Sequence, residues 1–234
     1  MRYQQLIFDV DNTLLNFSAG ETVALTTLFE KHGIAPTPSL VAAYQRYNTS
    51  LWRQIEAGAL TKDELFAKRF VTFFKEQLGQ TVGPEVDQEY LGYLGTQHEL
   101  MPGAMAMLKQ AQRLGYQLGI ITNGVAKVQK SRLSESGLAP LFSSVLVSET
   151  VGVEKPDPVI FERFFATSEV APEQSIMIGD GLPSDIVGAH KAHLASVWYN
   201  PRRGRVANTS GVTPTVTVAN HQELTDLLTQ WAHA

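Results

Sequence analysis

Four short segments carry side chains that could work on a metal ion or a phosphoryl group. Asp9-Val10-Asp11-Asn12-Thr13-Leu14 sets two carboxylates two residues apart. Carboxylates held together repel, and one is pushed toward its neutral form unless a cation joins them. Mg²⁺ suits such a pair, because it takes hard oxygen ligands and keeps several waters. A helix cap followed by a turn would use the same two aspartates without a metal. Gly179-Asp180-Gly181-Leu182-Pro183-Ser184-Asp185 is a second acidic segment. Asp180 is a candidate metal ligand. Asp185 either orients the ligand shell or is a first-turn acid favoured by the helix dipole. Thr122-Asn123-Gly124 offers a hydroxyl, an amide and a residue that turns tightly. That set can donate to a phosphoryl oxygen, and a plain turn explains it equally. In Lys155-Pro156, the proline biases Lys155 to an extended backbone. A lysine so placed is a point charge for phosphate, although most lysines are simply solvated.

The elements that must position these residues are legible as apolar runs. Leu6-Ile7-Phe8 ends at Asp9, Leu118-Gly119-Ile120-Ile121 at Thr122, and Ile176-Met177-Ile178 just before Asp180. Val145-Leu146-Val147, Ser196-Val197-Trp198 and a weaker Val216-Thr217-Val218 are further strand candidates. Helical patterns separate them near 126–137, 157–168 and 184–193, and a last one runs near 221–232. Strand–helix alternation of this kind predicts an α/β fold, a Rossmann-like parallel sheet with helices on both faces. In such sheets ligands bind at the carboxyl ends of the strands, so Asp9, Thr122 and Asp180 should converge on one cleft.

Residues 17–99 break the alternation and predict an all-helical insert, a cap. The core is then 1–16 with 100–234. Thr37-Pro38 opens a helix whose apolar stripe is Leu40, Tyr44, Tyr47, Leu51 and Ile55, closed by Gly58. Thr61 with Glu64 three residues on is a capping-box pattern. Phe66, Phe70, Phe73 and Phe74 follow, with Gly79 at the expected end.

Composition bounds the rest. The 234 residues carry 19 basic and 23 acidic side chains, a net charge of -4, which argues against a general nucleic-acid binder. There is no cysteine, so disulfides, thiolate metal sites and thiol nucleophiles are excluded. No signal-peptide pattern and no membrane-length apolar run is found, so the expectation is a soluble, cytoplasmic protein that engages no membrane. His190 and His193 lack an evident third ligand and read as surface residues. Arg202, Arg203 and Arg205 form a small basic loop that reads as solvated.

Taken together, Asp9-x-Asp11-x-Thr13-Leu14, Thr122-Asn123, Lys155-Pro156 and Gly179-Asp180-x4-Asp185 resemble the four motifs of the haloacid dehalogenase-like hydrolase superfamily, in their usual order. The stretches Asn48–Arg53, Arg69-Phe70, Thr122–Val125 and Trp198–Pro201 resemble its bacterial pyrimidine 5′-nucleotidase subfamily, which acts on nucleoside monophosphates, noncanonical ones included. The resemblance implies an Mg²⁺-dependent phosphomonoester hydrolase working through an aspartyl-phosphate. It makes Asp9 the nucleophile and Asp11 the general acid and base. The metal would be held by the Asp9 carboxylate, the Asp11 backbone carbonyl and Asp180, with Asp185 in support. Thr122, Asn123 and Lys155 would hold phosphoryl oxygens. Asn48, Trp52, Arg53 and Arg69 are the cap residues to consider for substrate contact, with packing or pairing of Arg69 to Glu56 or Glu64 as the other reading. The partner would be a small phosphate ester, and the protein a monomer or small homo-oligomer. Asp11 separates this chain from the true dehalogenases, which lack it. Gly181 departs from the subfamily, where a hydroxyl residue often stands. A sugar-phosphate phosphatase, a phosphomutase or a non-catalytic phosphate-binding module are the competing readings.

Overall fold

The structure, a computed structural model, describes residues 1–202 and 207–233. Arg203 and Arg205 of the basic loop lie outside the described residues. Six strands form one sheet: β1 Gln5–Phe8, β2 Gln117–Thr122, β3 Ser144–Val147, β4 Ser175–Gly179, β5 Ala195–Tyr199 and β6 Val216–Val218. Their order is β3-β2-β1-β4-β5-β6, and every neighbouring pair is parallel. All four residues of β1 are buried, as a central strand covered on both faces requires. The chain steps outward through β2 and β3, then returns to pair β4 on the other side of β1. The order therefore reverses between β1 and β4, the position at which open α/β sheets form a crevice.

Side chains alternate between two apolar layers. Leu6, Phe8, Leu118, Ile120, Ile176 and Ile178 pack with α5 (Ala104–Arg113) and α10 (His221–His233). Ile7, Ile121 and Met177 pack with Phe161 and Phe164 of α8 (Pro158–Phe165) and Ala189 of α9 (Val187–Lys191). Phe8 is level with Ile120 and Ile178, so the residues that follow the three central strands emerge at one edge. Between β2 and β3 lies α6 (Ala126–Glu135), and α7 (Ser148–Val151) follows β3. The short α9 is preceded by a π-helical turn, Leu182–Ile186, and so begins later than the sequence pattern suggests.

Two compact units make up the chain. One comprises Met1–Asn16 with His98–Ala234, the other Phe17–Gln97. In the first unit, the residues flanking the insertion are tied together. Asn16 N–H donates to the Glu99 carbonyl and Met101 N–H to the Leu14 carbonyl, both at 2.8 Å, around an antiparallel bridge between Leu15 and Leu100.

The helical unit contains α1 (Phe17–Lys31), α2 (Pro38–Glu56), α3 (Lys62–Phe73) and α4 (Glu85–Gly95). Thr37 caps α2 by accepting from Leu40 N–H, with Pro38 in the first turn, and Thr61 and Glu64 form the capping box of α3. Gly58 and Gly79 take the left-handed conformation just past the helix ends. The core is aromatic: Tyr44 stacks on Phe70 at 4.7 Å and meets Phe73 edge-on. The buried face of α2 is Val41, Tyr44, Asn48 and Ile55 rather than the stripe through Leu40, Tyr47 and Leu51. Asn48 lies four residues past Tyr44, and its amide is buried because charged partners inside the unit satisfy it. Among the described residues no helix is long and apolar enough to cross a membrane.

Candidate active site

The loop after β1 is built tightly. Asp9 N–H donates to the Ile178 carbonyl at 2.9 Å, which continues the sheet by one residue. Leu14 and Leu15 N–H both donate to the Val10 carbonyl, and Asn12 takes φ 57°, a conformation that asparagine tolerates. Opposite, Thr13 hydroxyl accepts from Asp180 N–H at 3.0 Å and so joins the β1 loop to the β4 loop. Trp198 donates its indole N–H to the Asp180 carbonyl at 3.0 Å. These contacts place Asp9 and Asp180 on either side of the crevice.

Asp9, Asp180 and Asp185 each offer a carboxylate oxygen, and these oxygens lie within 4.8 Å of one another. Gly179 makes this approach feasible, because a Cβ there would sit 2.1 Å from Asp185 Oδ2. Gly181, the departure noted above, donates its N–H to Asp185 Oδ2 at 2.9 Å, and a Cβ on it would meet Ser184 Oγ at 2.2 Å. In this chain Ser184 fills the space that a side chain at 181 would take.

Lys155 is buried at the centre of the group. Its ammonium lies 2.8 Å from Asp9 Oδ1 and 2.7 Å from Asp185 Oδ1, and donates to the Ile121 carbonyl at 2.6 Å. Burial alone would lower its pKa, but Asp185 and Asp9 outweigh that and raise it, so Lys155 is a fixed cation. Asp9 is pushed up to about 7 by burial first, then by the Asp185 and Asp11 carboxylates, with Lys155 pulling the other way. Asp180 is raised for the same reasons, burial followed by repulsion from Asp9, Asp185 and Asp11. One lysine thus leaves an excess of buried negative charge, and all three carboxylates are hard oxygen donors. A divalent cation such as Mg²⁺ fits this donor set. The Asp11 carboxylate is not in the group.

Asn123 and Lys155 are interlocked across a cis Lys155–Pro156 peptide. Asn123 Nδ2 donates to the Lys155 carbonyl, and Lys155 N–H donates to Asn123 Oδ1, both at 2.8 Å. The Asn123 side chain therefore clamps the Lys155 main chain. Thr122 is buried, and its hydroxyl accepts from Gln129 Nε2 at 3.1 Å.

Two residues with no sequence-based expectation stand at Asp11. Gln129 Nε2 donates to Asp11 Oδ2 at 2.8 Å, and Arg132 pairs with Asp11 Oδ1. Both lie on α6, and both are buried. They share one buried face of the helix with Val128 and Leu133.

The cap candidates divide. Asn48 and Arg69 are buried within the helical unit. Asn48 Nδ2 donates to Glu21 Oε1 at 2.8 Å, and Arg69 Nη1 donates to Asn48 Oδ1 at 3.2 Å. Arg69 Nε meets Asp87 Oδ1 at 2.5 Å, so its charge is paired with Asp87 and not with Glu56 or Glu64. Its guanidinium also lies 4.8 Å from the Tyr90 ring centroid. Both side chains are thus hydrogen-bonded inside that unit. Trp52 is half-buried with Lys62 Nζ 5.7 Å from its ring, and Arg53 is exposed. His190 and His193 are exposed.

Comparison with known proteins agrees with this geometry. A family model described as haloacid dehalogenase-like hydrolase matches residues 3–193. The chain is 35% identical over 229 residues to the pyrimidine 5′-nucleotidase PynA of Streptococcus pneumoniae, covering 97% of this chain and 96% of that protein. It is 32% identical over 231 residues to the pyrimidine 5′-nucleotidase YjjG of Escherichia coli, covering 97% and 99%. The crystal structure of the HAD-hydrolase YfnB of Bacillus subtilis, bound to magnesium, superposes with a TM-score of 0.89 at 36% identity, covering 98% of this chain and all of that one.

Proposed function

Since the chain belongs to the haloacid dehalogenase-like hydrolase family, as an enzyme of its phosphatase class, we propose that it is an Mg²⁺-dependent 5′-nucleotidase acting on pyrimidine nucleoside monophosphates. The observation that carries the mechanism is the arrangement of Asp9. It is a buried carboxylate at the end of β1, held 2.8 Å from Lys155 and facing Asp180 and Asp185, with Asp11 two residues on. A carboxylate so placed can act as a nucleophile on phosphorus and form an aspartyl-phosphate.

In the first step an Asp9 oxygen bonds to phosphorus as the bond to the leaving oxygen breaks. Asp11 gives its proton to that oxygen. In the second step Asp11 takes a proton from the attacking water, inorganic phosphate leaves and the Asp9 carboxylate is restored. Lys155 and the Thr122 hydroxyl hold phosphoryl oxygens through this cycle, and the Asn123 side chain keeps Lys155 in place. Asp9, Asp180 and the Asp11 carbonyl would hold Mg²⁺, with Asp185 supporting them. When bound, the ion supplies charge neutralisation for the phosphoryl group and its nucleophile. Trp52 and Arg53 are the residues of the helical unit proposed to recognise the base, by stacking and by hydrogen bonding.

The pyrimidine assignment rests on PynA and YjjG, whose similarity to this chain runs nearly end to end. The test is phosphate release from a panel of nucleoside monophosphates and sugar phosphates, with and without Mg²⁺. Pyrimidine monophosphates should turn over fastest, EDTA should stop the reaction, and Asp9→Asn should abolish it. Activity in the Asp9→Asn protein would overturn the mechanism. Hexose phosphates turned over far faster than any nucleotide would overturn the substrate class alone.

A further inference from the structure

We propose that Arg132 and Gln129 are positioning residues that hold the Asp11 carboxylate in register for proton transfer to the leaving group and from the attacking water. The inference deepens the phosphatase reading and rests on it. Asp11 sits in a loop and is 28% exposed, so its side chain borders solvent. A restraint comes from α6, more than a hundred residues away in sequence. Arg132 pairs with one carboxylate oxygen, and Gln129 donates to the other at 2.8 Å. A carboxylate held at both oxygens has its plane fixed. Each oxygen keeps a second lone pair, so either can still carry the proton that the reaction moves.

The bracket is itself constrained. Gln129 Oε1 accepts from Arg132 at 3.1 Å, which orients the amide so that Nε2 points to Asp11 and to Thr122 Oγ1. One amide thereby links the proton-transfer group to the residue proposed to hold phosphoryl oxygens. Gly124 makes room for it, because a Cβ at 124 would lie 2.4 Å from Gln129 Nε2 and 2.6 Å from its Cγ. Arg132 is 1% exposed, and a buried guanidinium is a poor device for stability alone, since the desolvation cost offsets much of the pairing. Its place beside the one reactive carboxylate outside the acidic group points to a role in the reaction.

The test separates proton transfer from general damage. A nucleoside 5′-monophosphate has a basic alkoxide leaving group that needs a proton, whereas p-nitrophenyl phosphate releases a weakly basic phenolate that does not. kcat/KM for each ester is measured for wild type, Arg132→Met, Arg132→Lys and Gln129→Met, with melting curves confirming that each variant is folded. The ratio of nucleotide to nitrophenyl kcat/KM should fall about tenfold or more in Arg132→Met, a part of the ~10²–10⁴ that general acid–base catalysis contributes. Arg132→Lys should recover part of it. Any loss at Thr122 affects both esters and cancels in the ratio, so Gln129→Met reports independently, also where Arg132→Met does not fold. A ratio that stays at the wild-type value in the folded variants overturns the proposal. A wild-type protein that hydrolyses neither ester overturns the phosphatase reading and this inference with it.

Discussion

Replacing Asn123 by alanine distinguishes a residue that clamps Lys155 from one that touches phosphate. The substitution removes two hydrogen bonds of 2.8 Å, one to the Lys155 carbonyl and one from its N–H. At a net ~0.5–1.5 kcal/mol each, the ligand-free protein should lose about 2 kcal/mol. For a chain of this size that is a fall in Tm of about 6 °C, at ~2–4 °C per kcal/mol. Asn123→Asp keeps the acceptor for Lys155 N–H but sets a second acceptor against its carbonyl, so it should recover little of the loss. The assay is thermal unfolding followed by circular dichroism, with neither Mg²⁺ nor phosphate present, paired with kcat for phosphate release. A clamp lowers both Tm and kcat, because a loosened Lys155 no longer fixes Asp9. An Asn123→Ala protein that melts with the wild type and loses only phosphate affinity would refute the reasoning and return Asn123 to the phosphoryl group.

Two further predictions concern stability. Breaking the buried Arg69–Asp87 pair from either side should cost ~3–5 kcal/mol, since each single change strands a dry charge, whereas Arg69→Met with Asp87→Leu should cost less than either alone. Urea denaturation of the four proteins checks this, and a double variant as damaged as the sum of the singles would refute it. His221 is buried, which pushes its imidazole below the ordinary 6.5, with the Pro102 and Thr13 carbonyls partly offsetting the shift. A depressed pKa contributes stability that is present above the unfolded value and lost as pH falls below it. His221→Gln should therefore flatten the fall in Tm between pH 7 and pH 5, and parallel curves for the two proteins would contradict it.

The centre of the sheet was legible because β1, β2 and β4 carry continuous apolar runs, as strands buried on both faces demand. The aspartates and Lys155 were legible because they sit directly past strand ends or beside a proline, where sequence position and spatial position nearly coincide. Gln129 and Arg132 were not. Their partner is over a hundred residues distant, and on a helix as polar as α6 two more polar side chains look like solvent-facing ones. The internal partners of Asn48 and Arg69 were not legible either. Their types suggested a surface for recognition, yet Asp87 and Glu21 form the charged interior that buries them, and no local pattern ties residue 69 to residue 87. Asn123 shows a third limit: its type fits both a phosphoryl contact and a backbone clamp, and only the location of the Lys155 main chain decides.

The stitch formed by Leu14–Asn16 with Glu99–Met101 sets where the chain can be edited. Its two paired segments run side by side, so the insertion leaves and re-enters the sheet unit about one strand spacing apart, roughly 5 Å. An excursion between such close endpoints can be shortened, lengthened or exchanged with only a slowly growing entropic cost, ~0.6 kcal/mol for each doubling of its length. Leu15 is only four residues past Asp11, yet the stitch isolates the Asp9–Thr13 loop from whatever is grafted beyond Asn16. The helical insert and the Asp9–Thr13 loop can thereby vary independently within one continuous polypeptide.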